Sequence, residues 1–393
     1  MKRPPLEVAT ILRAVRDSFV QKNRAWLQWS HLKVMAAIAR CRTAELGGHR
    51  DKCPRCGHSA ISYNSCRNRH CMKCQAAARQ GWLEQRQTEL LPTAYSHVVF
   101  TLPHTLSALV LQNKRLLYDL LFRASAEALL EVAANPRHLG AYIGFLGVLH
   151  TWGQNLLAHP HIHYVIPTGG LSPDRARWIP SHPSFFLPKD ALSVVFRGKF
   201  VDGLEAAFKR HKLTLAGSLQ PLANEKLFRA FVRSLHRHRW IVHVKPPFGG
   251  PHHVLRYLAR YTHRVAISNR RLIRFANNQV TFRWRDYAHG NKKRKLTLSA
   301  EEFLRRFLLH VLPDNFVRIR CFGFLANCQR AELLPLCRTL LHGSKSVVHN
   351  KPDPVEHPLF RCPRCATPMI LVEKMTALAL HLANNRSVHV DSS

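Results

Sequence analysis

Apolar and polar positions recur with periods that change in a definite order along the chain. Residues 98–103, Val-Val-Phe-Thr-Leu-Pro, form a β-branched and aromatic run closed by a proline, the pattern of a short strand. Leu109, Leu116, Leu117, Leu120, Leu121 and Leu129 then recur at helical spacing across residues 105–134, which predicts a helix or a helical pair. Two apolar segments follow, Ile143 to Gln154 and His161 to Pro167, joined by a short link ending at Pro160. They fit adjacent antiparallel strands. The whole stretch from His138 to Pro173 has no Asp, Glu, Lys or Arg, yet it holds five histidines, Gln154, Asn155 and several prolines. Such a run suits buried sheet that carries polar groups for a purpose, and it does not suit a bilayer core.

Strand alternation places His161 and His163 of His161-Ile162-His163 on one face. If residues 148–154 are also extended, His150, Trp152 and Gln154 share a face, with Gln154 close to the turn that leads to His161. Two neutral imidazoles and an amide oxygen would hold Mg²⁺ or Mn²⁺ with positions open for phosphate oxygens. With 26 histidines in the chain, an HxH spacing alone also arises by chance. Residues 253–267 read as a basic amphipathic helix, in which the spacing of Tyr257 and Tyr261 puts both on one stripe, with Arg256, Arg260 and Arg264 close by. Burial of both rings in a core is the structural reading of that pair. The chemical reading is that a phenol hydroxyl attacks a phosphodiester whose developing charge is neutralised by a metal ion and guanidinium groups.

Composition changes the picture in one respect. The chain has 393 residues, 46% of them hydrophobic, so it can bury one large core or two to three modest ones. Lys and Arg total 59 against 23 Asp and Glu, a formal net charge of +36. That balance would self-repel without a polyanion, and nucleic acid is the expected partner. The charge is spread along the length rather than gathered in one amphipathic helix, which disfavours a membrane surface. Met1-Lys2-Arg3-Pro4-Pro5 leads into Glu7, Arg13 and Arg16 with no signal-peptide pattern, so a cytoplasmic, nucleoid-associated protein is expected.

The eleven cysteines are then expected to be reduced thiols, and six lie between residues 41 and 74. The ligands available there are Cys41, His49, Cys53, Cys56, Cys66, His70, Cys71 and Cys74, with two CxxC pairs, Cys53-Pro-Arg-Cys56 and Cys71-Met-Lys-Cys74. Two such turns can complete one tetrahedral Zn²⁺ shell; eight ligands would hold two ions, and two are favoured. A closed cysteine shell folds a small domain and leaves no position for substrate. Interleaved Arg42, Arg50, Lys52, Arg55, Arg67, Arg69, Lys73 and Arg79 would give this module a basic surface for phosphates. Cys362-Pro-Arg-Cys365 follows a Pro-rich stretch near the C-terminus and is a candidate for another zinc, its partners sought among Cys321, Cys328, Cys337, His342 and His349.

Taken in order, the cysteine-rich head, the Phe-Thr-Leu-Pro strand, Gly153-Gln154 with His159-Pro160-His161-Ile162-His163, and Tyr257-Leu-Ala-Arg-Tyr261-Thr-His-Arg264 resemble the HUH two-tyrosine insertion-sequence transposases that move by a rolling-circle route. Gly323-Phe-Leu-Ala-Asn327 and the late CxxC resemble that family's tail, and the likeness covers roughly residues 35 to 370. The resemblance implies an α+β fold: a ferredoxin-like or RRM-like HUH nuclease domain with an antiparallel central sheet, a small zinc-binding domain before it and a helical or zinc-ribbon-like tail after it. The expected division is 1–92 for the helical and zinc-binding head, 93–275 for the nuclease, 276–350 for a basic extension and 351–393 for the CxxC knuckle and tail.

By the same resemblance His161 and His163 bind the divalent ion, Gln154 is the third ligand with His150 as its competitor, and Tyr257 and Tyr261 are nucleophiles. Arg67, Arg69, Arg256, Arg260 and Arg264 are the expected DNA contacts. The implied activity is metal-dependent cleavage and joining of single-stranded or hairpin DNA at element ends and of target DNA, through 5′-phosphotyrosine intermediates. Rolling-circle replication initiators and relaxases share this chemistry, but they usually lack the cysteine-rich head. The chain also has no GxxxxGK[ST] helicase signature. A zinc-dependent DNA-binding regulator, with structural histidines and tyrosines, is the alternative from another class.

Overall fold

A computed structural model describes residues 6–248, 266–286, 290–342 and 361–386. The architecture is α+β, with antiparallel sheets throughout the described residues.

The central sheet grows out of the charge-free segments. β3 (Tyr95–Thr101), β4 (Gly144–Trp152), β5 (Ala158–Pro167), β8 (Ile241–Phe248) and β12 (Ile319–Gly323) form five strands in the order β12-β4-β5-β3-β8. Helices α4 (Ser107–Gln112) and α5 (Lys114–Ala134) join β3 to β4, and α6 (Lys189–Lys209) and α7 (Glu225–Arg237) lie between β5 and β8. With the β4–β5 hairpin, this is the βαββαβ order of a ferredoxin-like unit, extended at one edge by β12. A short pair, β6 (Gly169–Leu171) and β7 (Trp178–Pro180), is inserted after β5.

The period-2 pattern gives the sheet two unlike faces. Val98, Phe100, Phe145, Leu149, Ile162, Tyr164, Ile166 and Val242 pack with apolar side chains of α5 and α6 in the main core. In α5 the buried positions Leu117, Leu121, Ala124, Ala128 and Val132 follow the helical repeat and supply the facing stripe. In α7 the Asn224 side chain accepts from the backbone N–H groups of Lys226 and Leu227, a cap that directs Phe228, Val232 and Leu235 inward. On the opposite face, Tyr95, Leu146, Val148 and Val165 are covered by Trp82, Leu83 and Leu90, from and just after α3 (Met72–Gln87).

Around this unit, α1 (Val8–Lys22) and α2 (Trp29–Arg40) share an apolar cluster with the sheet of β9 (Leu272–Ala276), β10 (Gln279–Asp286) and β11 (Lys292–Ser299), and with α8 (Ala300–Leu309). The first helices therefore pack on chain that lies some 250 positions later. β13 (Ile370–Met375) pairs antiparallel with β1 (Gly48–Lys52), which also pairs with β2 (Ser59–Tyr63), so the tail supplies one edge of the head's sheet. No described helix is long and apolar enough to cross a membrane.

Candidate functional site

His161 and His163 project from β5 on the face away from α5 and α6, and β4 brings His150 directly opposite His161. The ligand atoms of His150, His161 and His163 lie within 4.8 Å of one another. The Nδ1 of His161 lies 2.6 Å from the His159 carbonyl, to which it can only donate, so its lone pair is on Nε2. The Nδ1 of His163 lies 2.8 Å from Nε2 of His97, which stands on β3 across the sheet with its ring nearly parallel to that of His163. If Nδ1 of His163 carries the proton, its Nε2 is left for a cation.

Burial holds His97, His161 and His163 neutral. It lowers His161 to about 3, with a contribution from His159, and lowers His97 to about 3, assisted by Lys245. His163 is pushed well below the usual histidine range by burial and by the neighbouring imidazoles. Neutral imidazoles in one cluster are the donor set that a divalent transition-metal ion takes, so these residues fit such a cation.

Gln154 takes a different place. The strand ends at Trp152, and a tight turn follows in which the Gly153 N–H donates to the Leu157 carbonyl and Leu156 adopts φ 65°. Gln154 therefore lies in the turn, and its backbone carbonyl accepts from Arg271. The strand face that the sequence assigned to Gln154 stops short of it. His97 was missed altogether, although it shares the alternation of Val99 and Thr101.

Eight cysteines form two four-thiol sets, Cys41, Cys66, Cys71 and Cys74 in one and Cys53, Cys56, Cys362 and Cys365 in the other. Sulfur–sulfur distances are 3.5 Å for Cys41–Cys74 and Cys66–Cys74, and 3.4 to 3.6 Å for the contacts of the second set. A zinc tetrahedron with bonds of about 2.3 Å has edges of about 3.8 Å, so both sets fit a Zn²⁺ shell. Each set holds at least one thiol already biased toward the thiolate. Cys71 is held to about 5 by its hydrogen bond with Cys66, and Cys365 to about 6 by the Thr367 hydroxyl.

The two N-terminal CxxC pairs thus serve different sets, not one shell. His49 lies outside both, 3.4 Å from Asp51 on β1. His70 also lies outside them; its Nε2 accepts from the Leu312 N–H. The pair Cys362 and Cys365 finds its partners in the head, not among Cys321, Cys328 or Cys337.

Arg67 and Arg69 line a cavity of about 740 Å³ together with Arg42, Arg318, Asn68, Asn315 and Phe316, and no carboxylate is among its lining residues. Arg69 donates to the Phe316 carbonyl at 2.7 Å, while burial lowers Arg318 to about 10. The Arg318 carbonyl accepts from the Leu149 N–H, next to His150, at 3.0 Å, so one wall of the cavity is hydrogen-bonded to the strand that carries His150. Tyr257, Tyr261, Arg256, Arg260 and Arg264 lie outside the described residues.

A ferredoxin-like sheet with a histidine cluster on the face away from α5 and α6, together with two four-cysteine sets, defines a protein built around metal-ligand clusters. Comparison with known proteins makes this specific. A family model described as "Putative transposase" matches residues 144–332, and one described as "Transposase zinc-binding domain" matches residues 11–102. The chain is 50% identical over 375 residues to "Putative transposase y4qJ" of Sinorhizobium fredii, covering 93% of this chain and 94% of that one. It is 30% identical over 321 residues to the transposase for insertion sequence element IS801 of Pseudomonas savastanoi pv. phaseolicola, covering 78% and 76%. The chain belongs to this family of insertion-sequence transposases with an N-terminal zinc-binding domain. No solved structure matches it.

Proposed function

We propose that this transposase cuts and rejoins single-stranded DNA with Tyr257 and Tyr261 as nucleophiles, beside a Mg²⁺ or Mn²⁺ site formed by His161, His163 and a third ligand. The observation that carries the reading is the cluster of His150, His161 and His163 on the face of the sheet away from α5 and α6. It favours His150 over Gln154 for the third position. A divalent cation bound there would polarise a non-bridging oxygen of the scissile phosphate and offset the charge that builds on it.

The chain's own groups do the rest. Ala266, five positions after Tyr261 in the sequence, packs in the same apolar cluster as Leu156 in the β4–β5 turn. A phenol gives up its proton as its oxygen attacks phosphorus, the P–O3′ bond breaks, and O3′ takes up a proton to leave as a hydroxyl. The phosphodiester bond energy is retained in the 5′-phosphotyrosine. A 3′-hydroxyl attacking that phosphorus releases the tyrosine and joins the strands without ATP. Two tyrosines allow one DNA end to be held while a second is cut. Arg42, Arg67, Arg69 and Arg318 provide a path for the strand's phosphates.

Incubation with a labelled single-stranded element end and Mn²⁺ tests this. A covalent protein–DNA adduct is expected, abolished by Tyr257→Phe with Tyr261→Phe while zinc content and DNA affinity stay nearly constant. An adduct that survives the double substitution refutes the nucleophile assignment. A protein that shifts the oligonucleotide but never attaches to it is a regulator.

A further inference from the structure

We propose that the second zinc site is a composite clasp, built half from the head and half from the last part of the chain, so that the head is completed only by the C-terminal tail. Cys53-Pro-Arg-Cys56 and Cys362-Pro-Arg-Cys365 are the same four residues in the same order. They also fold alike. In the first turn the Gly57 N–H donates to the Cys53 carbonyl at 3.0 Å, and the Cys53 N–H donates to the His58 carbonyl at 2.8 Å. In the second, the Ala366 N–H donates to the Cys362 carbonyl at 2.9 Å, and the Cys362 N–H donates to the Thr367 carbonyl at 2.9 Å. The residue after each second cysteine is left-handed, Gly57 at φ 70° and Ala366 at φ 58°. Alanine adopts that conformation only under constraint, and a turn held by metal–thiolate bonds supplies one.

Two equivalent knuckles facing each other make a ribbon-type Zn²⁺ site. Cys53 and Cys362 are buried, and Cys56 meets Cys362 across 306 positions of sequence. The strands that follow extend the same join. β13 pairs with β1 along five residue pairs, and Arg50 of β1 forms a 2.6 Å ion pair with Glu373 of β13. The matched zinc-binding domain ends at residue 102, so half of this site's ligands lie outside it. The first set, Cys41, Cys66, Cys71 and Cys74, is complete within the head.

Zinc per chain, measured by mass spectrometry on purified full-length protein, tests the proposal. Wild type should hold two ions. Cys362→Ser with Cys365→Ser should hold one, Cys53→Ser with Cys56→Ser should hold one, and the quadruple variant should still hold one, because both pairs serve a single ion. Cys328→Ser, outside both sets, should keep two. An unchanged count after loss of the tail pair, or a quadruple variant that loses more than either double, overturns the clasp. X-ray absorption on wild type avoids any dependence on variant folding. Four sulfurs at about 2.3 Å per zinc are expected, and a mean shell containing nitrogen or oxygen contradicts the proposal.

Discussion

Replacing His97 by Phe separates the geometry of the proposed cation site from its ligands. His97 is 3% exposed and His163 is 9% exposed, so the 2.8 Å bond between His97 Nε2 and His163 Nδ1 is shielded from water. Phenylalanine keeps an aromatic ring beside that of His163, where the two rings now lie 5.1 Å apart and 7° from parallel, and removes the Nε2 that meets His163 along with the other ring nitrogen. Losing one member of a buried hydrogen-bonded pair costs about 1–3 kcal/mol. Loss of an outer partner of a ligating histidine typically weakens metal binding about 10- to 100-fold, the same range at about 1.4 kcal/mol per decade. The assay is titration of zinc-loaded protein with Mn²⁺, reading the free ion by electron paramagnetic resonance. His97→Phe should raise Kd by about 10- to 100-fold and leave zinc content unchanged, since His97 belongs to neither thiol set. His97→Gln, which can still accept a hydrogen bond, should recover part of the loss. A Phe variant within twofold of wild type would show that His163 needs no fixed tautomer, and the role given to His97 would fall.

Two further outcomes follow from buried charge and from its absence. His310 is fully enclosed between the Thr151 hydroxyl and the Leu156 carbonyl, and burial lowers it to about 4. The unfolded chain binds this proton near pH 6.5, so the stability it contributes is complete above that pH and is lost on acidification toward 4. Between pH 7 and pH 5 the share is about 2 kcal/mol. Urea unfolding of zinc-loaded His310→Gln should lose that much less stability over this range than wild type, and parallel pH profiles would contradict it. Arg42→Ala with Arg67→Ala should weaken binding of single-stranded DNA and reduce the slope of log K against log salt by about 1–2. Fluorescence anisotropy at several salt concentrations reads this, and a slope equal to wild type would remove the cavity from the DNA path.

The histidine hairpin was legible because a charge-free run of period 2 leaves little choice of structure, and His161 and His163 had to share a face. Its surroundings were less so. Carrying the strand through residue 154 gave Gln154 a place that the turn at Gly153 denies it. His97 stands one position before the run read as a strand, and its closeness to His163 depends on β3 lying beside β5, a non-local pairing that no spacing encodes. The zinc ligands show the same limit. Proximity along the chain left the pairing of the eight head ligands open, whereas folding joins Cys53 and Cys56 to cysteines some 300 positions away. A signal was nevertheless present: the repeated Cys-Pro-Arg-Cys motif marks two matching knuckles.

The register of β5 ties stability to chemistry. Successive residues on this strand serve opposite faces, Ile162, Tyr164 and Ile166 in the main core and His161 and His163 on the other side. A slip of one position would exchange the two sets and turn the histidines toward α5 and α6. Tyr164 is the side chain best placed to prevent it. Its hydroxyl lies 2.7 Å from Ser125 on α5, within a fully buried contact. Its ring lies over Gly147, its pairing partner on β4, where a Cβ would come within 2.5 Å of the ring edge. An aromatic ring seated on a glycine and tied to a helix hydroxyl can occupy only one position along the strand. The polar pair Tyr164–Ser125 and the bare backbone at Gly147 therefore set, from the far side of the sheet, where His163 stands relative to His150 and His97.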